Sequence, residues 1–177
     1  IKNAFYIART GKPGPVVVDI PKYIQLAMGS DEYPTEVNIR GYKPSEGVHV
    51  GQIKRALAEL KNAKKPVFLC GGGVNIAHAR KEMQELAEKT GIPVVTTIMG
   101  KGASPTDHPL YVGNIGMHGN MATNKAIMES DVLFSIGCRF NDRITGTIDT
   151  FAKNAKIIHV DIDAASISRN IKVDIPI

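Results

Sequence analysis

Tryptophan is absent from the 177 residues, aromatic side chains make up only 6% of them, and cysteine occurs twice. With so few rings, a core has to be built from Val, Ile, Leu and Ala, which suits strands covered by helices on both faces. Two cysteines make no disulfide framework. Cys70 and Cys138 each close an apolar run and read as small buried hydrophobes, which fits a reducing cytoplasm. No apolar run approaches the roughly 18 residues of a membrane span, so no membrane contact is expected. No signal peptide is visible, and the start at Ile1 rather than Met suits an internal fragment. The 22 basic residues outnumber the 17 acidic ones by only five. The densest basic run, Lys61, Lys64 and Lys65, falls at the end of an expected helix, where lysines complement the dipole. A solvated face is the better reading there, and no nucleic-acid partner is expected.

The usual signs of catalysis are missing too. There is no nucleophile elbow, no P-loop, no metal-ligand spacing and no G-x-G-x-x-G fingerprint. No catalytic residue and no metal ligand is therefore assigned. A domain that holds a cofactor without reactive residues of its own is the better physical reading.

What is present is alternation. Ile1 to about Arg9 has the apolar spacing of a helix tail, broken by Gly11, Pro13, Gly14 and Pro15. Pro15-Val-Val-Val-Asp-Ile20 reads as a short buried strand, so residues 1–28 look like the end of a preceding domain. Residues 29–46 carry turn formers without periodicity and read as a linker. From residue 47 onward the pattern is regular. Helices are expected over Val48–Lys61 (stripe Ile53, Ala56, Leu57, Leu60), Ala77–Thr90 (Met83, Leu86 and Ala87 inward, Gly91 as stop), Asn120–Glu129 and Ala164–Asn170. Strands are expected at Pro66–Cys70, Pro93–Thr97, Asp131–Ile136 and Ala155–Asp161. This alternation predicts an α/β fold: a Rossmann-like three-layer domain over 47–177, its mainly parallel sheet flanked by helices through right-handed crossovers.

Ligands of such sheets bind outside the carboxyl ends of the strands, and four ends here are unusual. They are Gly71-Gly72-Gly73, Thr97-Ile98-Met99-Gly100, Gly137-Cys138-Arg139-Phe140-Asn141-Asp142-Arg143, and Asp161-Ile162-Asp163. Glycine lets backbone N–H groups approach phosphate oxygens. Arg139 and Arg143 read either as pyrophosphate partners or as ion-paired with Asp142 and Asp149. Asp161 stands where a ribose-hydroxyl acceptor would. His118, between Gly116-Met117 and Gly119, reads as a structural or contact residue or as a base, and His108 as turn chemistry.

Specific runs then carry a resemblance. Thr10-Gly-Lys-Pro-Gly-Pro-Val-Val-Val-Asp-Ile-Pro-Lys22 resembles the end of the pyrimidine-binding domain of thiamine-diphosphate enzymes. Gly91–Gly102, Asp107–Gly119, Arg139-Phe-Asn-Asp-Arg-Ile-Thr-Gly146 and Ile157–Asp163 resemble the FAD-containing, biosynthetic acetolactate (acetohydroxyacid) synthases. The resemblance implies a three-domain transferase of branched-chain amino-acid synthesis. That enzyme decarboxylates pyruvate and joins it to pyruvate or 2-oxobutyrate, using thiamine diphosphate and Mg²⁺. It implies a homo-oligomer with a regulatory small subunit, in the cytoplasm or an organelle such as a plastid. It makes this chain the central, FAD-binding flavoprotein domain, inactive by itself because the pyrimidine- and diphosphate-binding domains are missing. Glyoxylate carboligase, pyruvate oxidase, or an interface module without cofactor are the alternatives.

Carried over by motif, the FAD contacts are Lys12, Gly72, and Thr97, Ile98, Met99 and Gly100. Ile115, Gly116, Met117 and His118 follow, then Gly137, Cys138, Arg139, Phe140, Asn141, Asp142 and Arg143, and last Asp161 and Ile162. Met117, Asp142 and Arg143 also match positions near the family's active-site channel, where herbicides bind. Two departures stand out. Lys12 replaces an arginine and keeps the charge without the fork, and Asn141 replaces an aspartate.

Overall fold

The computed structural model describes residues 1–44 and 47–177, so Ser45 and Glu46, at the end of the expected linker, lie outside the described residues. The chain divides into two compact units, Ile1–Gly47 and Val48–Ile177.

The first unit contains the helices α1 (Lys2–Arg9) and α2 (Lys22–Leu26). None of its described residues is buried. Polar contacts order it instead: the Thr10 hydroxyl donates to the Tyr6 carbonyl at 2.7 Å, and the Tyr42 hydroxyl donates to the Thr10 carbonyl at 3.0 Å. The rings of Tyr6 and Tyr42 meet edge to face, centroids 6.0 Å apart. The strand expected at Pro15–Ile20 is corrected. That stretch forms no strand, and Val17 is 91% exposed. The physical reason is pairing: among the described residues this run pairs with no strand, and an unpaired apolar run has no ladder to join.

The second unit is a six-stranded sheet. Its strands are β1 (Pro66–Cys70), β2 (Val94–Thr96), β3 (Tyr111–Asn114), β4 (Val132–Ile136), β5 (Lys156–Val160) and β6 (Ile175–Pro176). The order is β3-β2-β1-β4-β5-β6 and every pairing is parallel. The helices are α3 (Val50–Asn62), α4 (Gly72–Ile76), α5 (Arg80–Thr90), α6 (Met121–Glu129) and α7 (Asp142–Thr145). The expected α/β class and parallel sheet are what the structure shows.

Period-2 alternation builds the layers. Val67, Leu69, Val95, Leu133 and Ile157 point to one face and pack with Ile127 of α6. Phe68, Cys70 and Val94 point to the other and pack with Met83 and Ala87 of α5. On that second face Ala56 of α3 meets Val132, Ile158 and Ile175. Leu57, expected on the inward stripe of α3, is instead exposed.

Two local expectations fail, and two strands go unforeseen, for identifiable reasons. The helix expected over 77–90 begins only at Arg80, because His78 takes a left-handed φ of 56° between it and the separate short helix α4 at Gly72–Ile76. The helix over 164–170 shrinks to a 3-10 turn at Ala164–Ser166; Ser168 has φ 58° and its hydroxyl accepts from the Val173 N–H at 3.2 Å. Strands β3 and β6 carry too little apolar signal to be read: β3 contains Gly113 at φ 136°, and β6 is two residues long with a proline.

Candidate functional site

Strand order decides where a site can form. From β1 the chain moves outward through β2 to β3, then returns to β4 on the other flank and runs out to β6. The carboxyl ends of β1 and β4 therefore mark the switch point, where such sheets open a crevice. Every cofactor contact expected from the sequence, except Lys12 in the first unit, follows the end of β1, β2, β3, β4 or β5.

The glycines at these ends do a different job from the one expected. The Gly71 N–H donates to the Ile136 carbonyl at 2.8 Å, and the Gly73 N–H to Gly137 at 3.1 Å. The Gly137 N–H donates to Val160 at 2.8 Å, and the Gly100 N–H to Thr97 at 3.0 Å. A Cβ on Gly73 would stand 2.6 Å from the Gly137 Cα, and one on Gly71 would collide with the Gly137 carbonyl. Glycine is needed here for backbone against backbone. These amides are engaged within the protein, so they form no free cradle for phosphate oxygens.

Several of the side chains that the loops present outward are apolar. Ile98 is 69% exposed, Met99 73%, Met117 64% and Ile162 57%, while the loop bases are tied down. Thr97 is buried, and its hydroxyl accepts from the Gly100 N–H at 3.0 Å. Asn75 of α4 donates to the carbonyls of Met99 and Lys101, at 2.9 and 3.1 Å. Gly72 sits under the Met99 side chain. The Asp161 carboxylate accepts from the Asp163 N–H at 2.9 Å, which draws the expected ribose acceptor into its own turn.

Between the turn after β3, helix α6 and α7 lies a cleft of about 420 Å³. Its floor is Ile115, Ile127, Ile144 and Phe151, and Met117, Asp142 and Arg143 stand at its rim. The Met117 N–H donates to the Arg143 carbonyl at 3.0 Å, and the Arg143 Nη1 lies 4.0 Å from the Met117 sulfur. Of the two ion-pair alternatives, Arg143 with Asp142 is present at 3.8 Å, fully on the surface. Arg139 is exposed and has no ion pair among the described residues. Ile115, Gly116 and His118 belong to the same turn as Met117, with Ile115 buried and His118 exposed.

Cys138 and Phe140 are core residues. Burial pushes the Cys138 thiol up to about 11 and the Cys70 thiol up to about 12. Phe140, buried at a left-handed φ of 49°, stacks edge-on against the fully buried His159 ring at 5.0 Å. Asn141 keeps a buried side-chain oxygen without a hydrogen bond. Among the described residues no three His, Cys, Asp or Glu side chains come together as a metal site. Sequence reasoning missed Asn75, Asn124 and His159. Only an asparagine's two-sided amide beside a glycine-rich loop offers a signal, and it is a weak one.

The family model for the thiamine pyrophosphate enzyme central domain matches residues 53–177. The probable acetolactate synthase large subunits of Methanococcus aeolicus and Methanocaldococcus jannaschii are each 51% identical over 99% of this chain and 30% of their own length. The acetolactate synthase large subunit of Corynebacterium glutamicum is 48% identical over 100% of the chain and 28% of its own length. The resemblance read from the motifs is thus shown, and the chain spans about 30% of the curated relatives it matches. The flavin expectation is corrected. The matching family is described by thiamine pyrophosphate, not FAD, and the N–H groups of Gly71, Gly73, Gly100 and Gly137 donate to carbonyls of this chain rather than standing free for a flavin's pyrophosphate. No helix among the described residues is long and apolar enough to cross a membrane.

Proposed function

The chain belongs to the thiamine pyrophosphate enzyme central domains, and from that premise we propose that it is the middle part of an acetolactate synthase large subunit. In this reading residues 47–177 are the central domain, 1–28 end a pyrimidine-binding domain, and 29–46 link the two. The complete enzyme condenses pyruvate with a second 2-oxo acid after decarboxylation. It is a cytoplasmic homo-oligomer, and the words "large subunit" in the relatives' names support a smaller partner.

The described residues do not fit thiamine pyrophosphate itself. The N–H groups of Gly71, Gly73, Gly100 and Gly137 are engaged, and among the described residues no carboxylate cluster stands ready for the Mg²⁺ that would accompany a diphosphate. The cofactor therefore belongs to parts of the polypeptide outside this chain, and the central domain contributes a wall. One observation carries this: an exposed guanidinium, Arg143, stands beside Met117 at the rim of an apolar-floored cleft. A 2-oxo acid combines a carboxylate with a short apolar chain. Arg143 matches the first with a two-donor fork, and the cleft matches the second.

The test is the full-length enzyme with Arg143→Gln. Loss of a charge-assisted hydrogen bond, about 1.5–3 kcal/mol, raises KM for the 2-oxo acid by roughly 10- to 150-fold. An unchanged KM would remove Arg143 from substrate binding and with it the role given to this cleft.

A further inference from the structure

The turn from Gly116 to Gly119 shapes the rim of the cleft, and a hydrogen bond within it is supplemented from both flanks. Gly116 takes a φ of 103°, and any side chain there would strike the Arg143 carbonyl. The turn closes through the Gly119 N–H, which donates to the Gly116 carbonyl at 2.9 Å. One flank is fixed by the Met117 N–H on the Arg143 carbonyl at 3.0 Å. The other flank is fixed by a single side chain of α6. The Asn124 Oδ1 accepts from the Gly116 N–H at 3.0 Å, and its Nδ2 donates to the Gly116 carbonyl at 3.3 Å.

Helix α6 gives that side chain a rigid base. Asn120 caps the helix, accepting from the Thr123 N–H at 2.7 Å, and donates to the Val112 carbonyl of β3 at 3.3 Å. Ile127, one turn beyond Asn124, is 1% exposed in the core. The amide thus reaches the turn from a helix anchored at both ends.

We propose that Asn124 is the positioning residue of the cleft: it grips both polar groups of Gly116 and so sets Met117 against Arg143. A carboxamide is needed, because the grip requires one acceptor and one donor on a single short side chain. Aspartate keeps the acceptor and loses the donor. Leucine has the same shape and loses both. The proposal rests on the acetolactate synthase reading for its kinetic consequence, but the grip does not.

Two measurements on the full-length enzyme with Asn124→Leu and Asn124→Asp separate them. In Asn124→Leu, hydrogen exchange at the Gly116 and Met117 amides should quicken by about tenfold while β1 and β4 amides stay unchanged. KM for the 2-oxo acid should rise about tenfold with kcat within about twofold of wild type. Asn124→Asp, which still accepts from the Gly116 N–H, should fall between. Unchanged exchange in Asn124→Leu overturns the grip. Faster exchange with unchanged KM overturns the positioning role, as does a general rise in exchange across the sheet with kcat and KM both impaired. A wild-type enzyme that makes no acetolactate defeats the functional reading instead. The grip is then decided by exchange alone: faster exchange confined to the turn supports it, and unchanged exchange overturns it.

Discussion

Residues 15–20 and 66–70 are both short apolar runs that begin with a proline. The second is the centre of the sheet. It pairs with β2 on one side and β4 on the other, and Phe68, Leu69 and Cys70 are fully buried. The first pairs with no strand among the described residues, and Val16, Val17, Val18 and Ile20 are all exposed. Apolar composition is the same kind of signal in both. What differs is the company: strand neighbours on two edges and helix layers on two faces turn an apolar run into a strand. Local sequence proposes the strand and tertiary partners decide it.

That contrast should be measurable as stability. Phe68→Ala removes a fully buried ring that meets Phe134 edge-on at 5.6 Å, and should cost about 3–5 kcal/mol in urea unfolding. Val17→Ala should change the same transition by no more than about 0.5 kcal/mol. Similar losses at the two sites would break the comparison.

Glycines sharpen it next. Gly137 and Gly91 both have left-handed φ, 61° and 68°. A Cβ on Gly137 would stand 2.5 Å from the Gly73 Cα, whereas nothing lies within 4 Å of one on Gly91. Gly91→Ala should therefore cost about 1 kcal/mol for its backbone conformation alone, and Gly137→Ala about 1–3 kcal/mol more. Equal costs in thermal or urea unfolding would show that the strand-end contact yields easily.

The cysteines give a smaller, pH-dependent effect confined to the second unit. Both thiols are raised by burial, so the folded state holds protons that the unfolded state releases above the ordinary value of 9.0. Stability contributed by the neutral thiols is complete below pH 9. It should fall as pH climbs towards 11 to 12, by at most about 1.4 kcal/mol per pH unit for each thiol. Unfolding midpoints at pH 8 and 10 in wild type and Cys70→Ala check the sign. A flat profile in wild type would contradict it.

Asp131 should show the least. Slight burial pushes its carboxyl up, but the N–H groups of Lys64 and Lys65 outweigh that and hold it below its ordinary 3.8. Asp131→Asn should cost less than about 1 kcal/mol at neutral pH, because solvent screens the site. The difference from wild type should disappear as pH falls below the ordinary value.

Much of the fold was legible because β1, β2, β4 and β5 are apolar runs between helices, and their burial follows their composition. Strand β3, with Tyr111-Val112-Gly113-Asn114, was not, because its place depends on pairing with β2 rather than on apolar content. The strand ends were legible as a place, since topology alone puts a crevice there. Their chemistry was not. Gly71, Gly73 and Gly137 look the same in sequence whether their amides meet a phosphate or another strand end. Asn75 and Asn124 act on loops 24 and 8 residues away in sequence, which no helical or strand period encodes.

We propose that this chain frames a thiamine pyrophosphate-dependent active site without catalysing by itself. Acetolactate formed from pyruvate, with thiamine pyrophosphate and Mg²⁺ supplied, tests it most directly when residues 1–177 are compared with the full-length polypeptide that carries them. Product is expected from the full-length enzyme and none from the shorter chain. Product from residues 1–177 alone, or none from the full-length enzyme, would contradict it.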